Sequence, residues 1–268
     1  MEQTGYRTLT AAQRKLIGSL SEARHRRKQG LFVAEGLRTL RELLPVFPLR
    51  RIVATASWLG AEGKALEEAL GRELRPEDVL IARGNELREI STMTTPQGVL
   101  AVFDLPVSEN TLPEVAEDEL ILALDRVQDP GNLGTILRLA DWFGVRSVLA
   151  SADTVDVFNP KVLQSTMGAL ARVRVTYCDL APALKQLKEK GMEVYGTFLD
   201  GADIYRARLS RGGVIVMGNE GNGISDEVAA TVSSRLLIPS YPPDVLTVES
   251  LNVGTATAIT LAEFRRRL

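Results

Sequence analysis

Residues 122–145 read LALDRVQDPGNLGTILRLADWFGV, and this order of residue types decides what kind of chain it is. The stretch opens inside a short apolar run, Leu120 to Leu124, with the length and branching of a buried strand. Asp129-Pro130-Gly131-Asn132 then interrupts the run with residues that punctuate backbone structure. Beyond them Leu133, Ile136, Leu137, Ala140 and Gly144 recur at helical spacing and mark one stripe. Arg138 lies roughly 140° around that helix from Leu133, at about 100° per residue, so it faces away from the stripe with Thr135 and Gly134 on its flank. Strand, turn and helix predict a βα unit with a cation on its open side. That cation is either a solvated surface arginine or part of a site, and the unit alone does not separate the two.

On the C-terminal side the alternation continues. Strands are predicted at 146–150, 173–177, 193–197, 213–217 and 235–238, with helices between most of them. A last helix runs from about Ser250 to Arg267, with Ser250 as its cap and three arginines at the end that the helix dipole favours. Residues 119–268 are therefore expected to form a mainly parallel α/β sheet with helices on both faces. On the N-terminal side, residues 105–118 are rich in Pro, Ser, Asn and acid and lack periodicity, as a linker does. Residues 1–104 come before it. There a helix at 9–28 is ended by Gly30, and strands at 31–36, 51–55, 79–82 and 97–103 alternate with helices, one of them capped by Ser57. A small α/β domain is expected.

At 268 residues the chain can hold one large or two modest domains. No apolar stretch is long enough to span a bilayer, and residues 1–15 lack the apolar core of a signal peptide. With one cysteine, Cys178, and one histidine, His25, neither an internal disulfide nor a metal site is expected, and the cytoplasm is the natural compartment. The net charge of -2 argues against a strongly basic nucleic-acid binder, yet the charge is uneven. Residues 1–51 carry 11 Lys/Arg against 4 Asp/Glu, and residues 106–268 carry 16 against 21. The densest run is Arg24-His25-Arg26-Arg27-Lys28, which makes Arg24, Arg26, Arg27 and Lys28 candidate phosphate contacts; a solvated helix end has the same composition.

Two further clusters lie where strands end. In Met217-Gly218-Asn219-Glu220-Gly221-Asn222-Gly223-Ile224-Ser225 an apolar strand runs into glycines that let a ligand approach the main chain. Their order is not the dinucleotide fingerprint, and Glu220 sits where a phosphate cradle would not place an acid. A small-molecule pocket beyond the strand ends suits it, as does a plain βα turn. The other cluster joins Ile238-Pro239 and a loop with Tyr241-Pro242-Pro243 to Ser250-Leu251-Asn252-Val253-Gly254-Thr255. Asn252 stands where a better helix former would serve, and the small side chains from Gly254 to Ala258 predict a close packing partner.

With these clusters in this order, the chain resembles the SpoU family of RNA 2′-O-ribose methyltransferases, of the SPOUT class. The matching residues are Asp129-Pro-Gly-Asn-Leu-Gly with Arg138, Met217-Gly-Asn-Glu-Gly-Asn-Gly-Ile, Ile238-Pro and Ser250-Leu-Asn-Val. The first domain is similar to the family's substrate-binding domain, itself like a ribosomal-protein RNA-binding fold, through the basic run, Gly30-Leu-Phe-Val-Ala-Glu-Gly and Thr95-Pro-Gln-Gly-Val. The resemblance implies a trefoil knot, a homodimer and S-adenosylmethionine as methyl donor. It makes Arg138 the central catalytic side chain, with Asn132, Glu220, Ser250 and Asn252 at the other polar positions. It assigns the donor to Thr197, Leu199, Gly218, Asn219, Gly223, Ile238, Pro239 and Leu251. Ribosomal RNA is the expected substrate rather than transfer RNA, because the first domain resembles that of ribosomal-RNA members. Two other functions share these motifs: a base-nitrogen RNA methyltransferase of the same class, and an inactive RNA-binding assembly factor, against which the intact Arg138, Glu220 and Asn252 speak. Two departures bear on the donor pocket. Ser240 follows Pro239 where the family usually has Met, in a longer 240–249 segment, and Gly254 stands where a small polar residue is common.

Overall fold

The computed structural model describes residues 5–107, 112–114, 116, 118–242, 245 and 248–267. Parts of the expected linker (108–111, 115, 117) and of the long loop (243, 244, 246, 247) lie outside the described residues. In chain order the elements are β1 (Arg7–Thr8), α1 (Ala11–Ser19), α2 (Ala23–Gln29), β2 (Leu31–Glu35), α3 (Leu37–Leu43), β3 (Leu49–Ala54), α4 (Ala56–Leu70), β4 (Val79–Ile81), α5 (Gly84–Ile90) and β5 (Val99–Asp104). After the linker come β6 (Leu120–Leu124), α6 (Pro130–Trp142), β7 (Ser147–Ala150), α7 (Pro160–Thr166), β8 (Arg174–Tyr177), α8 (Leu180–Glu189), β9 (Val194–Asp203), β10 (Gly213–Met217), α9 (Asp226–Ala229), β11 (Ser234–Leu237) and α10 (Val253–Arg266). They gather into two compact units. One is Met1–Val107 with Asp156–Ala171, the other Ser108–Val155 with Arg172–Leu268. The segment carrying α7 thus packs with the first unit, although it lies inside the expected second domain.

The first unit holds a sheet of order β1-β4-β3-β5-β2, in which β5 runs antiparallel to both neighbours. Leu9, Ile17, Leu87 and Ile90 close one face over Val33, Val53, Leu80, Leu100 and Val102. Phe32 anchors an aromatic cluster, with Phe103, Phe47 and Phe158 at centroid distances of 5.2, 5.2 and 4.7 Å. The two motifs that suggested this domain meet in the sheet. Gly36 N–H donates to the Val99 carbonyl, and a Cβ on Gly36 would collide with the Gln97 side chain. Glu35 accepts from Ser91 Oγ, Thr92 N and Thr92 Oγ1 at 2.5, 2.7 and 2.9 Å.

Two local expectations are corrected here. The helix at 9–28 is broken into α1 and α2, because Leu20 turns into the core and the Arg26 guanidinium takes the carbonyls freed at the break, Leu20 O at 2.9 Å and Ser21 O at 2.8 Å. The cap of α4 is Thr55, whose hydroxyl accepts from Trp58 N, rather than Ser57. Gly30 ends α2 as expected, in the left-handed conformation that favours glycine.

The second unit is a parallel sheet of order β11-β9-β10-β6-β7-β8. From β6 the chain steps outward through β7 to β8, then crosses back to β9. The two crossovers run in opposite directions along the sheet, and α8 packs on the face opposite α6. Leu180, Leu184 and Leu187 of α8, with Val228 of α9, pack on Ile121, Ala123, Val214 and Val216. The alternate residues Leu122, Leu124, Ile215 and Met217 point to the other face and are equally buried. There α6 and α10 pack on each other. Leu133, Ile136, Leu137 and Ala140 form the buried stripe of α6, the larger ones contributing about 1.5–3 kcal/mol each. Gly144 falls outside the stripe, in an exposed turn with positive φ, and Gly134, one turn before Arg138, is buried.

Strand β9 runs on to Asp203, past the predicted end, because Gly201 lets it cross the β11 backbone closely; a Cβ there would lie 2.5 Å from the Leu236 carbonyl carbon. The last helix begins at Val253 with Asn252 as cap, so Ser250 is not its cap. The terminal arginines serve neighbouring elements more than their own dipole. Arg265 Nε donates to Phe143 O at 2.7 Å, closing α6, and Arg267 donates to Ile204 O and Tyr205 O at 2.9 and 2.8 Å. No helix among the described residues is long and apolar enough to cross a membrane.

Candidate active site

Strands β6 and β10 end level, with Met217 beside Leu124, and their chains leave toward different elements. The carboxyl ends of central strands in an open parallel sheet are where ligands bind. Asp125, the first residue past β6, is buried and stitches the two exits together. Its N–H donates to Met217 O at 2.9 Å, and its carboxylate accepts from Ser225 N at 2.6 Å.

Asp129 caps α6, accepting from Asn132 N at 2.7 Å, and Pro130 occupies the first helical position, where its missing N–H costs nothing. The cluster 129–132 is thus the first helical turn rather than a loop before it. With capping left to Asp129, the Asn132 amide is free to bridge. Its Nδ2 donates to Glu220 Oε1 at 2.8 Å, and its Oδ1 accepts from Asn252 Nδ2 at 2.9 Å. Asn252 Oδ1 meanwhile caps α10, accepting from Gly254 N at 2.9 Å and Thr255 N at 3.2 Å. The amide supplies both an acceptor for the cap and a donor for the bridge, which explains the residue that looked like a poor helix former.

Asn219 is a third amide used at both ends. Its Oδ1 accepts from Gly221 N and Asn222 N at 3.0 Å each, and its Nδ2 donates to Arg126 O at 2.7 Å. This side chain therefore holds the glycine loop and has no polar atom left over for a donor molecule. Gly218 packs so tightly that a Cβ would lie 2.4 Å from the Gly223 carbonyl carbon. Thr197 is half-buried with Oγ1 3.4 Å from Val216 O, while Leu199, one alternation further along β9, is 71% exposed. Ile238 is half-buried; Pro239 and Leu251 are exposed.

Arg138 projects from the exposed face of α6 and has no hydrogen-bond or ion-pair partner among the described residues. Ser250 is likewise exposed and without a partner among them. The structure thus joins Glu220, Asn132 and Asn252 in one hydrogen-bonded chain; Arg138 shares α6 with Asn132, and Ser250 lies two residues before the Asn252 cap. Asp125 and Arg126, which the sequence reading passed over, carry the links between the exits. The signal for them was an acid and a base placed directly at a buried strand's end.

In the first unit, Arg24, Arg27 and Lys28 are exposed, but Arg26 is 1% exposed and hydrogen-bonded to Asp156 Oδ2 through Nε at 3.1 Å and Nη2 at 2.5 Å. Arg26 is withdrawn as a phosphate contact, because its donors are spent inside the unit. Burial first, then the adjacent Asp179 carboxylate, push the Cys178 thiol above its usual range, the reverse of what a nucleophile needs.

Residues 119–262 match the model of the SpoU rRNA methylase family, and residues 12–101 that of the MRM3-like substrate binding domain. The class is that of RNA methyltransferases with a separate substrate-binding domain. Within it, the chain belongs to the SpoU rRNA methylase family. The 23S rRNA (guanosine-2′-O-)-methyltransferase RlmB of Neisseria meningitidis serogroup B is 34% identical over 210 residues, 76% of this chain and 81% of its own. A TrmH-family protein from Porphyromonas gingivalis has a structure that is 43% identical, with a TM-score of 0.83, covering 97% of this chain and 100% of that one. An rRNA methyltransferase from Sinorhizobium meliloti, solved with AdoMet bound, is 29% identical with a TM-score of 0.82, covering 98% and 97%.

Proposed function

We propose that the protein transfers a methyl group from S-adenosylmethionine to the 2′-hydroxyl of a ribose in structured RNA, and that this RNA is ribosomal. The observation that carries the proposal is Arg138. It stands free on the helix whose first turn ties Glu220 and Asn252 together.

The donor supplies an electrophilic methyl on a sulfonium and leaves as a neutral thioether. The residues fit such a molecule. Leu199 and Leu251 are apolar yet exposed, and the glycine loop after β10 offers main chain, as an adenosine requires. Thr197, Leu199, Gly218, Gly223, Ile238, Pro239 and Leu251 would hold it, within β9, past the ends of the neighbouring β10 and β11, and before α10. Asn219 contributes by shaping the loop.

A ribose hydroxyl is a poor nucleophile at neutral pH, so the protein must orient it and stabilise its developing charge. Orientation of bound reactants supplies about 7–11 kcal/mol in favourable cases. Arg138 cannot act as a simple base, since an arginine stays protonated to above about pH 12. It stabilises the developing alkoxide and grips the neighbouring phosphate, which takes the proton. The chain Glu220–Asn132–Asn252 holds the glycine loop and the first turns of α6 and α10 in register, and Ser250 adds a hydroxyl to that rim. Arg24, Arg27 and Lys28 of the first unit bind RNA phosphates.

The remaining parts of the proposal are a homodimer, a trefoil knot in residues 119–268 and work in the cytoplasm, where ribosomal RNA lies. Membership of the SpoU rRNA methylase family is what supports the dimer and the knot.

Primer extension at low dNTP on ribosomal RNA from cells lacking the protein should lose one ribose-specific stop. A missing base-methylation signal instead would favour the base-nitrogen alternative. Absence of S-adenosylmethionine binding in a titration would favour the assembly factor. Arg138→Ala should lower kcat by about 10²–10³-fold, as removal of a transition-state donor does, with an unchanged melting temperature. Near-normal turnover in that variant would remove Arg138 from the mechanism, and near-normal turnover in Arg138→Lys would remove a planar, bidentate role.

A further inference from the structure

Of the described residues, two that are not glycine hold a positive φ: Met167 at 52° and Arg126 at 60°. Glycine or asparagine adopts this conformation with least strain, and a long side chain there is disfavoured. Arg126 is the second residue past the end of β6, directly among the loops of the candidate site. Its backbone is fixed from both sides, the N–H donating to Ser151 Oγ at 2.9 Å and the carbonyl accepting from Asn219 Nδ2 at 2.7 Å. Those bonds need only a main chain, which glycine would provide with less strain. Retention of an arginine therefore asks what its side chain does.

Inside the protein it does little. Nε lies 3.4 Å from the buried Asp125 carboxylate, and that nitrogen is buried with no hydrogen-bond partner. The guanidinium donates no hydrogen bond to any described residue, and the side chain is 33% exposed. Asp125 neutralises part of its charge, but the hydrogen bond its carboxylate accepts comes from Ser225 N and none comes from the guanidinium. A planar fork with unspent donors, anchored by a strained backbone at the carboxyl end of the central strand, is built to meet an oxyanion from outside. Strain kept at such a place points to function.

We propose that Arg126 binds a phosphate of the substrate RNA at the methyl-transfer site, as a cation additional to Arg138. The assignment rests on the proposal that RNA is presented at the ends of β6 and β10. The contact adds electrostatic hold on the RNA and takes no part in donor binding.

The conformation helps the test, because Arg126→Gly relieves backbone strain, while the buried Asp125 carboxylate loses its neighbouring cation. In the full-length protein, compared at a temperature where circular dichroism shows every variant folded, Arg126→Gly should keep the S-adenosylmethionine Kd within twofold. The RNA Kd, measured with a ribosomal RNA fragment the wild type methylates, should rise about tenfold. The slope of log Kd against log salt should fall by about one, the loss of one phosphate contact. Arg126→Lys should keep that slope and most of the affinity. An unchanged RNA Kd and slope in Arg126→Gly would overturn the proposal, as would a Lys variant as weak as the Gly variant. If the catalytic assignment fails instead, Arg138→Ala stays active while Arg126→Gly still loses RNA, so the two failures are told apart.

Discussion

Helices α2 and α6 put arginine to opposite uses. Helix α2 carries the densest cationic run of the chain, yet its central member, Arg26, is buried, with its donors spent on Asp156, Leu20 O and Ser21 O. Helix α6 carries a single arginine, and that one is exposed and without a partner among the described residues. Local charge density is therefore a poor guide to which cation meets a phosphate. What decides is whether the fold has already used the donors. The first unit uses others in the same way. Burial opposes the charge of Asp78, but hydrogen bonds from Arg72 and Arg75 outweigh it and hold that carboxyl well below its usual range.

The largest effect that tests this contrast is structural. Arg26→Ala leaves Asp156 without its cation and two carbonyls at the α1–α2 break without donors. A loss of about 3 kcal/mol is expected, near the low end for a broken buried pair because Asp156 keeps some exposure. Denaturant unfolding would measure it. The folded fraction should keep its RNA affinity and salt dependence. An intact stability together with a reduced salt slope would make Arg26 a phosphate contact after all and erase the contrast.

Part of this was legible in the sequence. At about 100° per residue, Arg24, Arg27 and Lys28 share one side of α2 while Arg26 lies roughly 200° from Arg24, so the run was divisible in two. Which part would be buried was not legible, because Asp156 is 130 residues away and belongs to a segment that packs with the first unit. In the second unit β6 and β10 appeared with their observed bounds, since continuous apolar runs of that length have one good destination. Asn132, Glu220 and Asn252 were picked out singly by motif and resemblance. That they form one chain depends on amide orientations set by two helix caps, which no spacing encodes. Asn252 shows the limit well: propensity made it an oddity inside a helix, and the cap made it the start of one.

A smaller effect tests the exposed side of α2. Removing its three free cations with Arg24→Ala, Arg27→Ala and Lys28→Ala together should weaken RNA binding about tenfold, near 1.4 kcal/mol, with a salt slope lower by about 2. The melting temperature should stay within a degree or so, as for surface substitutions generally. A filter-binding series in salt would read both numbers. Unchanged binding would leave both faces of α2 without a role in substrate recognition and shift that role to other cations of the unit.

The smallest effect concerns the seat of α6 itself. A Cβ on Gly254 would lie 3.2 Å from Thr135 Cγ2 and 3.1 Å from Asn252 Oδ1, so the first turn of α10 sits against the flank of α6 that carries Arg138. The small residues there are thus explained by a neighbour, and the departure at Gly254 is matched by a threonine across the contact. Gly254→Ser should crowd this seat and cost about 1 kcal/mol, with a few-fold loss in kcat as Asn252 is displaced from Asn132. Trimming the neighbour in Gly254→Ser/Thr135→Ala should recover most of both, because the added atoms then have somewhere to go. If the double variant loses as much as the two single changes combined, the contact is not what couples α10 to α6. The hydrogen bond between Asn252 and Asn132 would then have to hold the two helices in register by itself.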